Sequence, residues 1–283
     1  CLAGKRALRR SVSSCLLLAT LLLGVAQAGD LKLLAHQSEY PLGSSLHFIE
    51  DRGKTLSIDQ LLDPAKFQTL PWKPVNAKVP NFGYSLSNFW FYVDVDHASI
   101  LPEPWILEVA YPLLDSVDVY FEANGKITRA FHTGDHEPFS IRPIDHRYFL
   151  FPLMLDKPGK TRIWMRVAST GTIQVPVTLW RSSTFIEQDQ RHNMLQAAYV
   201  GMIAVMLLYN LFILFSIRER SYAFYSAYVL VFTTMLMTLH GFGYQFLWPH
   251  SVWWQDKSMA FLVAASVLCV ALFRKLCDSS MTT

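Results

Sequence analysis

Cysteine is scarce in this chain of 283 residues, and the distribution of the few cysteines is informative. They are Cys1, Cys15, Cys269 and Cys277, so none lies in residues 29–192. A small extracellular module held together by disulfides is therefore excluded for that region. Its stability must come from a hydrophobic core, which a segment of about 160 residues is long enough to form.

Recognisable catalytic motifs are also missing. The sequence contains no GxSxG nucleophile motif, no HExxH zinc motif, no phosphate-binding loop and no GxGxxG dinucleotide motif. We therefore expect no enzymatic activity, no catalytic residues and no cofactor in this chain.

Charged residues are absent from three apolar stretches in the second part of the chain. Met194–Ile217 has 24 uncharged residues, and residues 221–239 and 258–273 are also uncharged. A helix of 24 residues is about 36 Å long, enough to cross a hydrocarbon core of about 30 Å. A buried core helix is the alternative, but such a helix rarely stays uncharged for so long. The pattern predicts three membrane spans, with the third as the shortest.

The first 28 residues have the pattern of a secretory signal peptide. A basic segment precedes the apolar run 15–25, and Ala26-Gln27-Ala28 fits a cleavage site of the small-x-small type. An uncleaved anchor is the alternative. Export of the following region places it outside the membrane, and the basic residues after the first and third spans then lie inside. This agrees with the positive-inside rule.

The net charge of the exported region argues against a nucleic-acid partner. Residues 29–192 carry 16 Lys and Arg against 19 Asp and Glu, so the region is slightly acidic. The basic excess of the chain lies in the leader and beside the predicted spans. No nucleic-acid footprint is present.

A two-residue hydrophobic period dominates the exported region. In residues 89–96, Phe89, Phe91, Val93 and Val95 alternate with side chains on the opposite face. Asn124-Gly125 is a two-residue turn signal between two further strands. About eight short strands joined by turns predict an antiparallel β-sandwich of jelly-roll type at residues 29–184, with a closed barrel as the alternative. Residues 185–193 are polar and predict a helical coupling segment, and residues 194–283 form the membrane part.

The aromatic side chains on the outward face of the predicted sheet are the best ligand candidates. Flat rings on a sheet face can stack on sugar rings, and neighbouring arginines can bind hydroxyl or carboxylate groups. The alternative is that loops or the other sheet cover this face. The candidate ligand-binding residues are Trp90, Tyr92, Tyr120, Trp164, Arg162 and Arg166.

Residues 132–137 (HTGDHE) combine side chains that bind metals. Gly134 and the preceding strand argue against a helix that would place His132 and His136 on one face. The sequence therefore favours a solvated loop, and we predict no metal ligands.

Several loose motifs in a fixed order resemble one bacterial receptor family. In the exported region they include Trp72, Phe82-Gly83, the segment 87–91 (SNFWF), the segment 106–120 and Phe151-Pro152-Leu153. In the membrane part they include Tyr199-x-Gly201, Tyr209-Asn210-Leu211, Arg218 followed by Tyr222, Tyr225 and Tyr228, and Gly241-x-Gly243-x-Gln245. Together they resemble the seven-transmembrane receptors with diverse intracellular signalling modules (7TMR-DISM), with their type 2 extracellular domain.

The resemblance implies a sensory receptor of the bacterial inner membrane. Its periplasmic jelly-roll domain, similar to carbohydrate-binding modules, would bind a small ligand or glycan and signal through seven helices to a cytoplasmic diguanylate cyclase or histidine kinase. The chain departs from the family in having three spans and no output domain, so we expect it to be the N-terminal part of such a receptor. Tyr92 also stands where many relatives carry Arg, which weakens any inherited ligand preference. A possible further partner is a second copy of the chain. The alternative function is a membrane-anchored binding or scaffold protein with no signalling output.

Overall fold

The β domain precedes the membrane helices, as the sequence predicts. The computed structural model describes residues 31–97, 102–155, 157–218 and 220–281. Antiparallel β-sheets are followed by three long apolar helices, which confirms the predicted class. The predicted signal peptide lies outside the described residues.

The strands and helices have the following bounds. The strands are β1 (Leu31–Lys32), β2 (Glu39–Pro41), β3 (His47–Asp51), β4 (Lys73–Pro74), β5 (Asn81–Tyr84), β6 (Asn88–Asp96), β7 (Glu103–Val109), β8 (Ser116–Ala123), β9 (Lys126–Thr133), β10 (Phe149–Leu155), β11 (Lys160–Ala168), β12 (Thr172–Gln174) and β13 (Val177–Arg181). The helices are α1 (Ile58–Leu62), α2 (Pro64–Thr69), α3 (Ser182–Ile217), α4 (Arg220–Leu239) and α5 (Val252–Met281).

Two sheets make up the sandwich. The large sheet has the order β4-β3-β6-β11-β8-β9, and β1 pairs with β6 in parallel. The smaller sheet has the order β10-β7-β13-β2, and β12 pairs with β5 as a separate ribbon. The described strands therefore form separate sheets instead of one closed barrel, while the jelly-roll connectivity stays a prediction.

The sandwich core follows from the two-residue period. Phe89, Phe91 and Val93 on β6 are buried in one cluster with Trp105 and Leu107 on β7 of the other sheet. Alternate side chains of both sheets thus meet in a single apolar layer, as expected when two sheets pack face to face. The inward orientation predicted for the odd-numbered residues of β6 is confirmed.

Local turn and cap signals also take the expected form. Asn124 and Gly125 have φ angles of 52° and 73° and join β8 to β9, as the predicted hairpin requires. The helix α1 ends at Leu62, and α2 begins at Pro64. Asp63 accepts a hydrogen bond from Ala65 N at 3.0 Å, and proline is well suited to the first turn of α2.

The helix α3 begins directly after β13, without a linker. It has 36 residues, so it is about 54 Å long. It includes both the predicted coupling segment and the first predicted span. The second and third predicted spans lie within α4 and α5, and α5 extends further at both ends than its apolar stretch. All three helices are long and apolar enough to cross a membrane.

Candidate functional site

The outward face of the large sheet brings together all six predicted ligand residues. Across the strands, Trp164 on β11 stands opposite both Tyr92 on β6 and Tyr120 on β8. Arg166 stands opposite Trp90 in the same register. The even-numbered positions of β6, β8 and β11 therefore share one face, as the sequence predicts.

A helical cap formed by residues 56–72 covers the centre of this face. Phe67 packs edge-on against Trp164, with ring centroids 5.7 Å apart. Trp72 packs edge-on against Tyr92 at 4.8 Å. As a result, Trp164 is 0% exposed and Trp90 is 1% exposed. A ligand could reach the two tryptophans only if the cap moved, so the ligand role of the six residues stays a prediction.

The arginines of this face already have acidic partners. Arg162 donates from Nε and one terminal nitrogen to the two oxygens of Asp94, at 2.6 and 2.8 Å. Its guanidinium also lies 4.8 Å from the centroid of the Phe67 ring. Arg166 pairs with the buried Asp118. A ligand carboxylate would therefore compete with these two carboxylates, whereas a neutral hydroxyl could share the exposed parts of the guanidinium groups.

The accessible rim of the face includes one residue that the sequence reasoning missed. His47 on β3 stacks on Tyr92, with ring centroids 4.7 Å apart and planes at 9°. Both side chains are half-buried, and burial lowers the pKa of His47. Only the pairing of β3 with β6 places His47 beside Tyr92, so the sequence pattern alone could not identify it as part of this face.

A second polar region lies where the sandwich meets the membrane helices. We call residues 134–148, which connect β9 to β10, the junction loop. Asp189 on α3 accepts a hydrogen bond from Asn193 at 2.8 Å and lies 3.3 Å from Arg147. The ring nitrogen Nε2 of His146 is 3.0 Å from Asp189, and Arg147 also donates to Asn193. The junction loop is therefore bound to the first turns of α3.

Apolar packing strengthens the attachment of α3. Phe185 is buried against the outer side of the smaller sheet, in a cluster with Ile106, Leu150 and Trp180. Burial of an aromatic side chain of this size stabilises by about 2 kcal/mol or more. The start of α3 is thus part of the sandwich, whereas the apolar residues 194–217 are mostly exposed.

The junction loop also contacts the segment between α4 and α5. The hydroxyl of Tyr244 donates to the carbonyl oxygen of Glu137 at 2.6 Å. Gly241 has a φ of 82°, and a Cβ at this position would lie 2.8 Å from the carbonyl oxygen of Arg147. Only glycine combines this backbone conformation with such a close approach. One loop of the sandwich therefore contacts both α3 and the segment that joins α4 to α5.

Comparison with known families supports this division into two regions. Residues 43–181 match the family described as 7TMR-DISM extracellular 2, and residues 192–276 match the family described as 7TM diverse intracellular signalling. This chain belongs to the 7TMR-DISM family. No curated protein matches it. It therefore has an extracellular sensor domain followed by membrane signalling helices. Asp189 lies between the two matched regions.

The residues of the HTGDHE segment are divided between two sites in this 7TMR-DISM chain. The Nδ1 atom of His132 contacts Asp118, which also binds Arg166, and Nε2 lies 3.3 Å from Glu137. The hydrogen bond to Asp118 raises the pKa of His132. The other two residues, Asp135 and His136, turn toward Asp115 instead. No helix brings the two histidines onto one face, because His132 lies on β9 and His136 on the junction loop. The segment is not the solvated loop that the sequence favoured, because Asp135 is buried.

Proposed function

We propose that this 7TMR-DISM chain is the sensing part of a bacterial inner-membrane receptor and has no enzymatic activity of its own. Its periplasmic sandwich would bind a small, carbohydrate-like ligand. The membrane helices would pass the change to a cytoplasmic diguanylate cyclase or histidine kinase. A second copy of the chain is a further proposed partner. The observation that carries the proposal is the anchoring of α3 in the sandwich through Phe185 and Asp189.

The junction gives a physical route for such a signal. A ligand can shift the receptor only if it binds one arrangement of sandwich and helices better than another. The junction loop contacts α3 and the segment between α4 and α5. A change in its position would therefore displace α3 and the segment that joins the other two helices.

The accessible rim of the outward face supports a ligand of the carbohydrate class. Tyr92, Tyr120, Arg162 and Arg166 are each half-buried, so rings and donors are available at the edge of the cap. Trp90 stacks behind Tyr120 at a ring distance of 6.3 Å. Aromatic faces beside guanidinium groups suit the apolar ring faces and hydroxyl groups of sugars.

The ligand proposal can be tested by thermal unfolding of the full chain in lipid nanodiscs. A panel of neutral sugars and acidic oligosaccharides should contain members that raise Tm with concentration, because a ligand that binds only the folded state stabilises it. Tyr120→Ala should remove the shift. Tyr84→Ala is the matched control, because Tyr84 is exposed and lies off this face. Failure of every sugar to shift Tm would exclude the carbohydrate class.

The signalling proposal needs a second readout. Spin labels on an exposed strand of the sandwich and on the outer end of α5 should report a distance change when the ligand binds. Ligand binding without any distance change would instead favour a membrane-anchored binding or scaffold protein.

A further inference from the structure

A cluster of two carboxylates and one histidine lies where the sandwich approaches α5. Ligand atoms of Asp115, Asp135 and His136 all lie within 4.8 Å of one another. Asp115 precedes β8 and the other two follow β9, so the hairpin brings them together. The backbone N–H of Asp135 donates to the carbonyl oxygen of Leu114 at 2.9 Å. A Cβ at Gly134 would lie 1.9 Å from the carbonyl oxygen of Asp115, so only glycine allows this approach.

One oxygen of Asp135 points to a ligand. The residue is 6% exposed, and its Oδ1 atom is buried without a hydrogen-bond partner among the described residues. Burial, and then the charge of Asp115, raises the pKa of Asp135 to about 7. The Arg142 guanidinium is close enough to lower that pKa, but it donates to the carbonyl oxygens of His146 and Arg147, at 2.7 and 3.0 Å. Buried carboxylates are normally hydrogen-bonded or bound to a metal, and a cation would supply this partner.

The spacing of the surrounding groups fits a small ion. The Nε2 atom of His136 lies 3.8 Å from Oδ2 of Asp115 and 3.5 Å from Oδ1 of Asp256, which belongs to α5. Zinc holds nitrogen and oxygen ligands at about 2.0–2.2 Å, so ligand atoms around a tetrahedral ion lie about 3.3–3.6 Å apart. Lys257 contacts the other oxygen of Asp256, Oδ2, and leaves Oδ1 on the side of His136.

The orientation of Asp115 is fixed by neighbouring donors. Ser169 donates to its Oδ1 at 3.0 Å, and the backbone N–H of Thr170 donates to its Oδ2 at 2.7 Å. Hydrogen bonds of this kind hold metal-binding carboxylates in place. On one side the cluster has a carboxylate oriented by two donors, a histidine, and a buried carboxylate with one oxygen that has no hydrogen-bond partner among the described residues. On the other side it has the carboxylate of Asp256 from α5.

We propose that Asp115, Asp135 and His136 bind a divalent transition-metal ion, with Asp256 as the fourth ligand. An imidazole nitrogen among carboxylates favours Zn²⁺ over Ca²⁺ or Mg²⁺, which take oxygen ligands. Three ligands belong to the sandwich and one to a membrane helix, so the bound ion links the sensor domain directly to α5. The sequence drew attention to Asp135 and His136 but led us to predict no metal ligands, because Asp115 and Asp256 are distant in the chain and only the fold brings them to His136.

Binding of zinc by the full chain in lipid nanodiscs tests the site. ZnCl₂ is titrated alone against a chromophoric chelator, and one ion per chain should bind. Asp135→Asn and His136→Gln should each weaken binding by more than about 100-fold, beyond the loss typical of outer-sphere changes. Asp256→Asn should cause a smaller loss, because Lys257 contacts this carboxylate and already neutralises part of its charge.

Matched controls separate this site from general surface binding. Asp145→Asn changes an exposed carboxylate of the junction loop, and His36→Gln changes an exposed histidine of the sandwich. Both should leave zinc binding unchanged. Equal zinc affinity of the native chain and Asp135→Asn would overturn the proposal, as would the absence of one-to-one binding by the native chain.

Unfolding in the presence of a chelator distinguishes a metal ligand from a purely structural carboxyl group. Without metal, Asp135→Asn removes the repulsion between the buried Asp135 and the partly buried Asp115, and it should keep or raise the native Tm. Zinc should then raise the Tm of the native chain and leave that of the variant unchanged. Should Asp135→Asn fail to fold, the half-exposed His136 gives the same test through His136→Gln. Equal zinc-induced shifts in the native chain and in His136→Gln would contradict the assignment.

Discussion

The outward face of the large sheet and the junction with the membrane helices are both rich in polar side chains, but they are stabilised differently. On the outward face, interlocked rings cover the sheet, and Arg162 and Arg166 are paired with acidic residues. At the junction, Asp135 Oδ1 and Arg142 Nε are buried without partners among the described residues. The outward face therefore supports the fold, whereas the junction combines the apolar packing of Phe185 with polar contacts that a ligand or ion can alter.

The largest expected effect concerns the outward face of the large sheet. Trp164→Ala should lower the free energy of unfolding of the sandwich by about 3–5 kcal/mol, because it leaves a cavity beneath the cap. It also removes the hydrogen bond from the indole N–H to Glu122 at 2.6 Å. Thermal unfolding in nanodiscs measures the change. Tyr84→Ala, at an exposed position, should have almost no effect, and a similarly small effect of Trp164→Ala would show that the cap does not stabilise the sheet.

The next largest effect concerns the junction. Arg147→Ala should destabilise the attachment of α3 by about 3 kcal/mol, because it leaves Asp189 without its buried cation. Hydrogen exchange of residues 185–193 should increase while exchange in β6 and β11 stays slow. Arg129→Ala is the control, since Arg129 is exposed. Unfolding of the whole sandwich in Arg147→Ala would mean that the junction and the core are a single cooperative unit.

A smaller effect tests how the cap is held. Asp63→Ala removes the N-cap hydrogen bond of α2 and should cost about 1 kcal/mol. Because α2 carries Phe67, quenching of tryptophan fluorescence by a neutral quencher should rise as the cap loosens. Asp63→Asn retains a capping oxygen and should behave like the native chain. Unchanged quenching in Asp63→Ala would indicate that ring packing alone holds the cap.

The smallest effect is a pH dependence of the junction. Burial lowers the pKa of His146, and the hydrogen bond to Asp189 opposes this shift in part. The unfolded chain therefore binds a proton at His146 more readily than the folded chain. Stability from this group is fully present above the ordinary histidine pKa of about 6.5 and falls as the pH drops below it.

The matching measurement is Tm against pH for the native chain and for His146→Gln. The native chain should lose more stability than the variant as the pH falls from about 7 to about 5, through the ordinary histidine pKa of about 6.5. The pKa of His132 is raised, so its contribution has the opposite sign and is lost at higher pH. Identical curves for both proteins would show that His146 does not titrate in this range.

Short-range sequence patterns were sufficient to predict much of the fold. The period of β6, the Asn124-Gly125 turn and the uncharged run in α3 each depend on neighbouring residues, and each prediction is confirmed. The grouping of the aromatic residues on one face also followed from the period. What covers that face could not be predicted, because Phe67 reaches Trp164 across nearly one hundred positions of the chain.

The contacts at the junction could not be predicted from the sequence for the same reason. Residues 185–193 were predicted to couple the two regions, but their partners His146 and Arg147 lie in a loop with no periodic pattern. The proximity of Asp135 to Asp256 likewise depends on how the sandwich sits on α5. The role of an isolated polar residue in a loop can be assigned only when the fold shows which residues are buried beside it.

The direct continuation of β13 into α3 has a mechanical consequence. Arg181 ends the strand and Ser182 begins the helix, so no flexible hinge separates them. The helix then acts as a lever whose short arm is clamped in the sandwich. From Asn193, the last clamped residue, to Ile217 the free arm is about 36 Å long, so a tilt of roughly 5° at the clamp would move its far end by about 3 Å. A small rearrangement outside the membrane is thereby amplified at the opposite membrane surface.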